Sequence, residues 1–171
     1  MLRIRAVRFE ISHELDAPLD AVELAVLSPD LGRRLSRLLK SIESVETVEH
    51  ALENGELRRV LRFQASAPLP IFKGYNVTRD AMSWSEEWVY RLADHASTWT
   101  VFPREQWKRY FRSGGTYQLE PLPDGRTRRT VKGEIEIRAG VLARIIERMA
   151  VSEVRKTYDA EADTLRELST L

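Results

Sequence analysis

The four tryptophans of this chain, Trp84, Trp88, Trp99 and Trp107, restrict its fold more than any other feature, because a strand reading puts them on one side of one sheet. Across 83–92, Trp84, Glu86, Trp88, Tyr90 and Leu92 share one parity, while Ser85, Glu87, Val89 and Arg91 take the other. A period of two sends those sets to opposite faces. So much aromatic area needs a cover, and the end of the chain supplies one. From Gly140 to about Ser169 there is no Pro or further Gly, and Leu142, Ile145, Ile146, Met149, Val154, Tyr158, Ala162 and Leu165 follow one helical stripe. Large rings facing a single helix need not fill the space between them, so the pattern points to a container.

The rest of the chain reads as further strands and two short helices. Val7, Phe9, Ile11 and His13 alternate with Arg8, Glu10, Ser12 and Glu14, which predicts a half-buried first strand. Asp16-Ala17-Pro18 breaks it and opens a helix carrying Leu19, Val22, Val26 and Leu27. Ser28-Pro29-Asp30 then caps a second helix, with Leu31, Leu35, Leu38 and Leu39 as its buried stripe. Asn54-Gly55 joins 42–53 to 56–67 as a hairpin, pairing Leu52 with Leu57, His50 with Arg59, Val48 with Leu61 and Glu46 with Phe63. A turn near Asp94-His95 pairs Tyr90 with Trp99 and Trp88 with Val101. The odd positions Trp107, Phe111, Tyr117 and Leu119 form the inner side of the next strand, with Gly114-Gly115 as a turn or bulge. A loop of Asp124-Gly125-Arg126 pairs Leu119 with Val131 and Tyr117 with Gly133, directing Val131, Ile135 and Ile137 inward.

A length of 171 residues suits one domain spanning 1–171, with enough chain to bury a core without staples. The absence of cysteine removes disulfides, thiolate metal sites and a cysteine nucleophile, and suits a cytoplasmic chain. With 27 basic against 26 acidic residues, interspersed, there is no basic stripe for nucleic acid. The N-terminus alternates arginine with apolar residues and does not read as a signal peptide; no apolar run is long enough to span a bilayer.

This order (a strand, two short helices, about six antiparallel strands and a long C-terminal helix) resembles the START-like helix-grip superfamily, which includes pollen-allergen proteins, polyketide cyclases and lipid-transfer domains. The resemblance covers nearly the whole chain. It rests on element order, on the Asp16-Ala17-Pro18 entry to the first helix, and on the run from Val131 to Glu153. The closing stretch, Val131 to Ile137 leading into the helix, looks most like uncharacterised bacterial members and faintly like the mitochondrial phospholipid-transfer branch. The resemblance implies an α+β fold: a curved antiparallel sheet of about seven strands around the helix, with a cavity for an apolar ligand. It implies no particular reaction, since the superfamily holds both carriers and enzymes.

The candidate ligand-binding residues are Trp84, Trp88, Tyr90, Trp99, Trp107, Phe111, Tyr117, Phe72 and Met149. Against this stands simple core filling, the ordinary fate of a buried ring. A second set, His13, His50, Arg59, Glu86 and Arg109, places polar side chains on the inward parity. Arg59, Glu86 and Arg109 are the candidate catalytic residues, an arginine receiving a carboxylate or phosphate headgroup and Glu86 or a histidine moving protons. The bland alternative puts all five at strand ends in contact with water. The three histidines lack ligand spacing, so no metal is expected, and no cofactor motif is present. The apolar segment 68–82, with Leu69, Ile71, Phe72, Tyr75, Lys73 and Arg79, reads either as a lid over the cavity mouth or as a transient membrane-contact patch.

Three functions fit these residues. The first is binding, with transport as an extension, of a hydrophobic small molecule or lipid without chemistry on it. The second is an aromatase/cyclase or related lyase, which requires Arg59, Glu86 or Arg109 to converge on the pocket. The third is an interaction module with a filled core.

Overall fold

The computed structural model describes residues 6–66, 83–138 and 143–170. Expectations for 68–82, including Phe72, lie outside them. Seven strands form one antiparallel sheet: β1 (Val7–Leu15), β2 (Ile42–Glu53), β3 (Glu56–Ala65), β4 (Ser83–Arg91), β5 (Ala96–Pro103), β6 (Phe111–Pro121) and β7 (Thr127–Ile137). Helices α1 (Leu19–Val26) and α2 (Leu31–Leu38) separate β1 from β2, and α3 (Ala143–Ser169) follows β7. The spatial order β1-β7-β6-β5-β4-β3-β2 puts the strands on either side of the α1–α2 insertion at opposite edges. The sheet curves around α3, as the period-two and period-3.6 patterns require.

Parity survives everywhere that matters, although two registers differ from those expected. Trp88 pairs with Trp99 and Tyr90 with Ser97, because the connection is a four-residue turn, 92–95, with His95 in the left-handed region at φ 52°. Tyr117 pairs with Val131 and Gly115 with Gly133, because the connection runs from Leu122 to Arg126 and closes with a Leu122 N–H to Arg126 carbonyl bond of 2.8 Å. Both are slips of two residues, which leave each side chain on its face. In the β2–β3 hairpin, Leu52–Leu57 and His50–Arg59 pair as expected, with Asn54 and Gly55 both at positive φ. Beyond them a bulge between Thr47 and Glu49 makes Thr47 the partner of Leu61 and Val45 that of Phe63. The extra residue turns Val48 outward to 47% exposure. On α2, Leu38 likewise faces water while Leu31, Leu35 and Leu39 are buried.

One row of directly opposed residues crosses the whole sheet: His50, Arg59, Trp88, Trp99, Gly115, Gly133 and Phe9. Gly114-Gly115 therefore lies within β6 as ordinary ladder, and not as a turn. A Cβ on Gly133 would lie 2.5 Å from the Phe9 ring and 2.6 Å from the Trp99 indole, so the missing side chain is the space those rings occupy. A Cβ on Gly115 would collide with the Lys132 carbonyl. Trp99 stays over this gap, 6.0 Å from Phe9 and 6.3 Å from Tyr158 between ring centroids, with its N–H on the Thr116 carbonyl.

The buried apolar residues form two clusters. The larger joins β1, α1, the middle of the sheet and α3; the smaller joins Leu35, Leu39, Ile42, Leu61 and Phe63. Polar tethers hold the helices. The Tyr90 hydroxyl donates to Glu23 of α1 at 2.6 Å, and His95 meets the same carboxylate. Arg129, fully buried on β7, donates to the Tyr158 carbonyl of α3 at 2.7 Å.

Replacing Gly133 by alanine forces a methyl into two packed rings and should cost about 1–3 kcal/mol, the usual range for overpacking a core. Urea unfolding measures it. The double variant Gly133→Ala with Phe9→Leu should recover part of the loss. An unchanged single-variant midpoint would show that the rings are not locked by the glycine.

Candidate functional site

The two core clusters do not merge. Between them, under α2 and α3, lies a cavity of about 550 Å³. The smaller cluster contributes Leu35, Ile42, Leu61 and Phe63 to its wall; the larger contributes Trp88, Trp99, Ile135, Ile137, Ala150 and Tyr158. Rings dominate. Phe63 and Trp84 stack at 5.5 Å and 3°, and Trp107, Tyr110 and Phe111 line the region near the start of β6. Trp107 gets there from a single 3-10 turn, Glu105–Trp107, and not from a strand as its parity implied.

Of the residues singled out by sequence, Trp84, Trp88, Trp99, Trp107 and Phe111 line this cavity, together with Arg59 and Glu86. Tyr90 and Tyr117 lie outside its wall. Tyr90 is spent on Glu23, and Tyr117 is fully buried edge-on against Trp88, at 5.3 Å and 77°. Met149 is half-buried on α3 and also outside the wall. Arg109 is exposed on the turn after Trp107, with its guanidinium 5.1 Å from the Tyr110 ring, and is not part of the cavity wall. His13 bonds Asp159 at 2.7 Å and takes an Arg129 N–H on Nδ1, which makes it neutral with its proton on Nε2. Burial and the Arg129 charge hold its pKa below 6.5. His50 stands beside Arg59 on the sheet, its pKa lowered by burial and by that neighbour.

Arg59 is 3% exposed and reaches the end of the cavity beneath the α1–α2 junction. Its Nη1 donates to the Val26 carbonyl at 2.6 Å, at the C-terminus of α1, where the helix dipole favours a cation. Its guanidinium lies 5.8 Å from the Trp88 ring. Its Nε has no hydrogen-bond partner, and among the described residues no carboxylate comes within ion-pair distance. Burial lowers its pKa, with Glu161, Tyr117 and Glu86 opposing.

Glu86 lies one step along the sheet, flanked on its own face by Leu61 and Val101. The Trp88 N–H lies 3.4 Å from its carboxyl. Burial pushes its pKa up to about 7; the Trp88 and Trp84 N–H groups and Arg59 pull down, and Glu161 pushes up. From α3 come two residues missed by sequence reasoning. Glu161 lines the cavity, 3.3 Å from Arg129, and Tyr158 contributes its ring, its hydroxyl pKa raised by burial and by both glutamates. Burial works against the Arg129 charge, but Tyr117 and the Glu161 carboxylate outweigh it and raise the guanidinium's pKa. The signals are there in the chain. Arg129 shares the inward parity of Val131, and Glu161 stands three residues after Tyr158 on the buried stripe.

The raised Glu86 pKa has a stability consequence. The folded protein holds a proton between about pH 4.5 and 7 that the unfolded chain releases, so the contribution is complete at low pH and declines as pH rises through that window. By pH 8 the cost reaches at most about 3 kcal/mol, reduced by any water in the cavity. His13 and His50 act oppositely, losing stability as pH falls below 6.5. A comparison of wild type with Glu86→Gln isolates the glutamate: the variant should gain relative stability steadily from pH 5 to about 8 in urea titrations. A constant difference would mean that Glu86 is ionised throughout.

Comparisons with known proteins agree with this architecture. TTHA0849 from Thermus thermophilus superposes with a TM-score of 0.65 at 19% identity, covering 96% of this chain and 97% of its own. The ZhuI aromatase/cyclase from Streptomyces sp. R1128 gives 0.67 at 14% identity, covering 97% and 94%. Norcoclaurine synthase from Thalictrum flavum gives 0.62 at 16%, covering 95% and 87%. At these identities the likeness establishes the helix-grip fold alone. No curated protein matches the sequence. No helix among the described residues is long and apolar enough to cross a membrane. A family model described as "Protein of unknown function (DUF2505)" matches residues 10–168. By that match this helix-grip chain belongs to the DUF2505 family.

Proposed function

We propose that this protein binds a hydrophobic small molecule or lipid between the curved sheet and α3, without carrying out a reaction on it. The observation that carries this reading is the 550 Å³ cavity itself, lined mainly by indole, phenyl and aliphatic groups from both core clusters. Such a volume falls in the range of small-molecule sites, and burying an apolar ligand there gains roughly 25 cal/mol per Å² before ordering costs. A space of this size also counts against an interaction module with a filled core. A chain without cysteine suits action in the cytoplasm.

The cyclase alternative retains Arg59 and Glu86, which line one cavity, and loses Arg109, which is exposed. Binding is favoured because Arg59 is held by the α1 carbonyl and Glu86 is flanked by Leu61 and Val101, leaving no relay from either group to a second proton-transfer group among the described residues. Native mass spectrometry and lipid extraction of the purified protein test the reading through what co-purifies.

Trp88→Ala should weaken uptake of a neutral environment-sensitive dye by roughly tenfold, since a large buried ring contributes one to a few kcal/mol of contact. Glu87→Ala, on the outer face where Glu87 meets Arg58, should leave uptake unchanged. Equal effects of the two substitutions would remove the cavity as the binding place.

A further inference from the structure

The charged groups of the cavity wall are not balanced among themselves. Arg138 meets Glu136 at 3.1 Å, Glu153 meets Lys156 at 3.2 Å, and Glu161 meets Arg129 at 3.3 Å. That leaves Arg59 and Glu86, which form no ion pair among the described residues. The Arg59 bond to Val26 engages one nitrogen and its Nε has no acceptor, although the side chain is almost wholly buried. A buried guanidinium without a counterion is costly, and a neutral ligand pushed against it would strip any water that serves it now. An anionic group would replace that water with a charge-assisted bond. One negative charge is what the wall accommodates. A second would face the Glu161 carboxylate with no further unpaired cation among the described lining residues.

We propose that the cavity takes an amphiphile whose single carboxylate is received by Arg59 beneath the α1–α2 junction, with Glu86 accepting a proton from solvent as that carboxylate enters. This rests on the ligand-binding reading above and names the class of ligand. The proton goes to a Glu86 oxygen and no other bond changes. Facing Glu86 are Arg59 from β3, the Trp84 and Trp88 indoles from its own strand, Glu161 and Tyr158 from α3, and the uncharged Val101 from β5. Burial, with Glu161 adding to it, has pushed the Glu86 pKa up to about 7, and an anion entering beside Glu86 favours its acid form further. Binding and protonation are therefore linked.

The test uses a neutral dye, N-phenyl-1-naphthylamine, displaced by decanoate or by 1-decanol below their aggregation limits. In wild type near pH 6.5, decanoate should displace the dye at a concentration roughly tenfold or more below that of decanol. That ratio should shrink as the pH rises to about 8.5, while decanol itself does not change. Glu86→Gln should flatten the pH dependence. Arg59→Met should bring the ratio to about one. Because Arg59 also holds α1, calorimetry of the wild type at about pH 8, where Glu86 is mostly ionised before the ligand enters, provides an independent readout in two buffers of different ionisation heat: proton uptake with decanoate and none with decanol. Dye binding with decanol equal to decanoate, or no proton uptake, overturns the carboxylate assignment and leaves the cavity reading standing. Failure of the dye and of both displacers to bind overturns the cavity reading, and this inference with it.

Discussion

The structure depends on one steric bargain in the middle of the sheet. Trp99 and Phe9 can both lie on the inner face only because Gly133 presents no side chain, and opposite it Gly115 leaves room for the β7 backbone. Glycine in a strand gives up packing and backbone entropy, so two of them directly opposed weaken the ladder locally. What they admit is a row of large groups that carries the curvature: Phe9 and Trp99 over the gap, Trp88 next, then Arg59 and His50 at the far edge. The glycine end brings the sheet close enough for Trp99 to meet Tyr158 of α3, while the Trp88–Arg59 end stands away from the helix and borders the cavity. A sheet with an ordinary side chain at Gly133 would displace Phe9 or Trp99 and, with them, the contact that seats α3.

Two buried arginines then fix the helices, in contrasting ways. Arg129 joins β7 to α3 through the Tyr158 carbonyl, His13 and Glu161, so its charge is answered on the spot. Arg59 joins β3 to α1 through the Val26 carbonyl and the partial charge of the helix end, and no carboxylate among the described residues completes it. The first is a structural tether whose charge meets a carboxylate, although its Nε, like that of Arg59, has no hydrogen-bond partner. The second is a tether with charge left over, directed into the cavity. This difference gives the cavity a polar end and an apolar body, although the sheet that builds it is aromatic throughout its middle.

Much of the fold is legible in the chain because its main signal, parity, tolerates the errors that turn prediction makes. The turns at 92–95 and 122–126 both differ from the expected ones, yet each slip is of two residues, and Trp84, Trp88, Trp99, Tyr117 and Leu119 all keep their face. The bulge at Val48 is not legible: it adds one residue, leaves no glycine or proline as a marker, and flips the faces of 44–47 until a second shift between Ile42 and Ser44 restores them. Gly115 reads as a turn because a glycine in isolation signals freedom. Its actual role, yielding space to partners on other strands, exists only once the strands are assembled. Trp107 shares the parity by coincidence and reaches the cavity by a different route, through the 3-10 turn. Arg129 and Glu161 stand on the correct stripes, but a charge on an inward stripe becomes informative only when its partner on another element is known.

Glu86 brings the packing and the electrostatics of the cavity together. Its face neighbours are Leu61 and Val101, and a leucine in its place would extend the apolar wall without desolvating a carboxyl. Stability alone gives no reason for a carboxylate between two tryptophans, beside an arginine that is too far away to pair with it. Among the described residues Glu86 has only indole N–H groups as hydrogen-bond partners, and its ionised form is disfavoured by burial and by Glu161. A group poised between both forms near neutrality answers to whatever charge enters the cavity next to it. That property follows from its position among the rings, so the aromatic lining controls the electrostatics of the cavity as well as its apolar contact area.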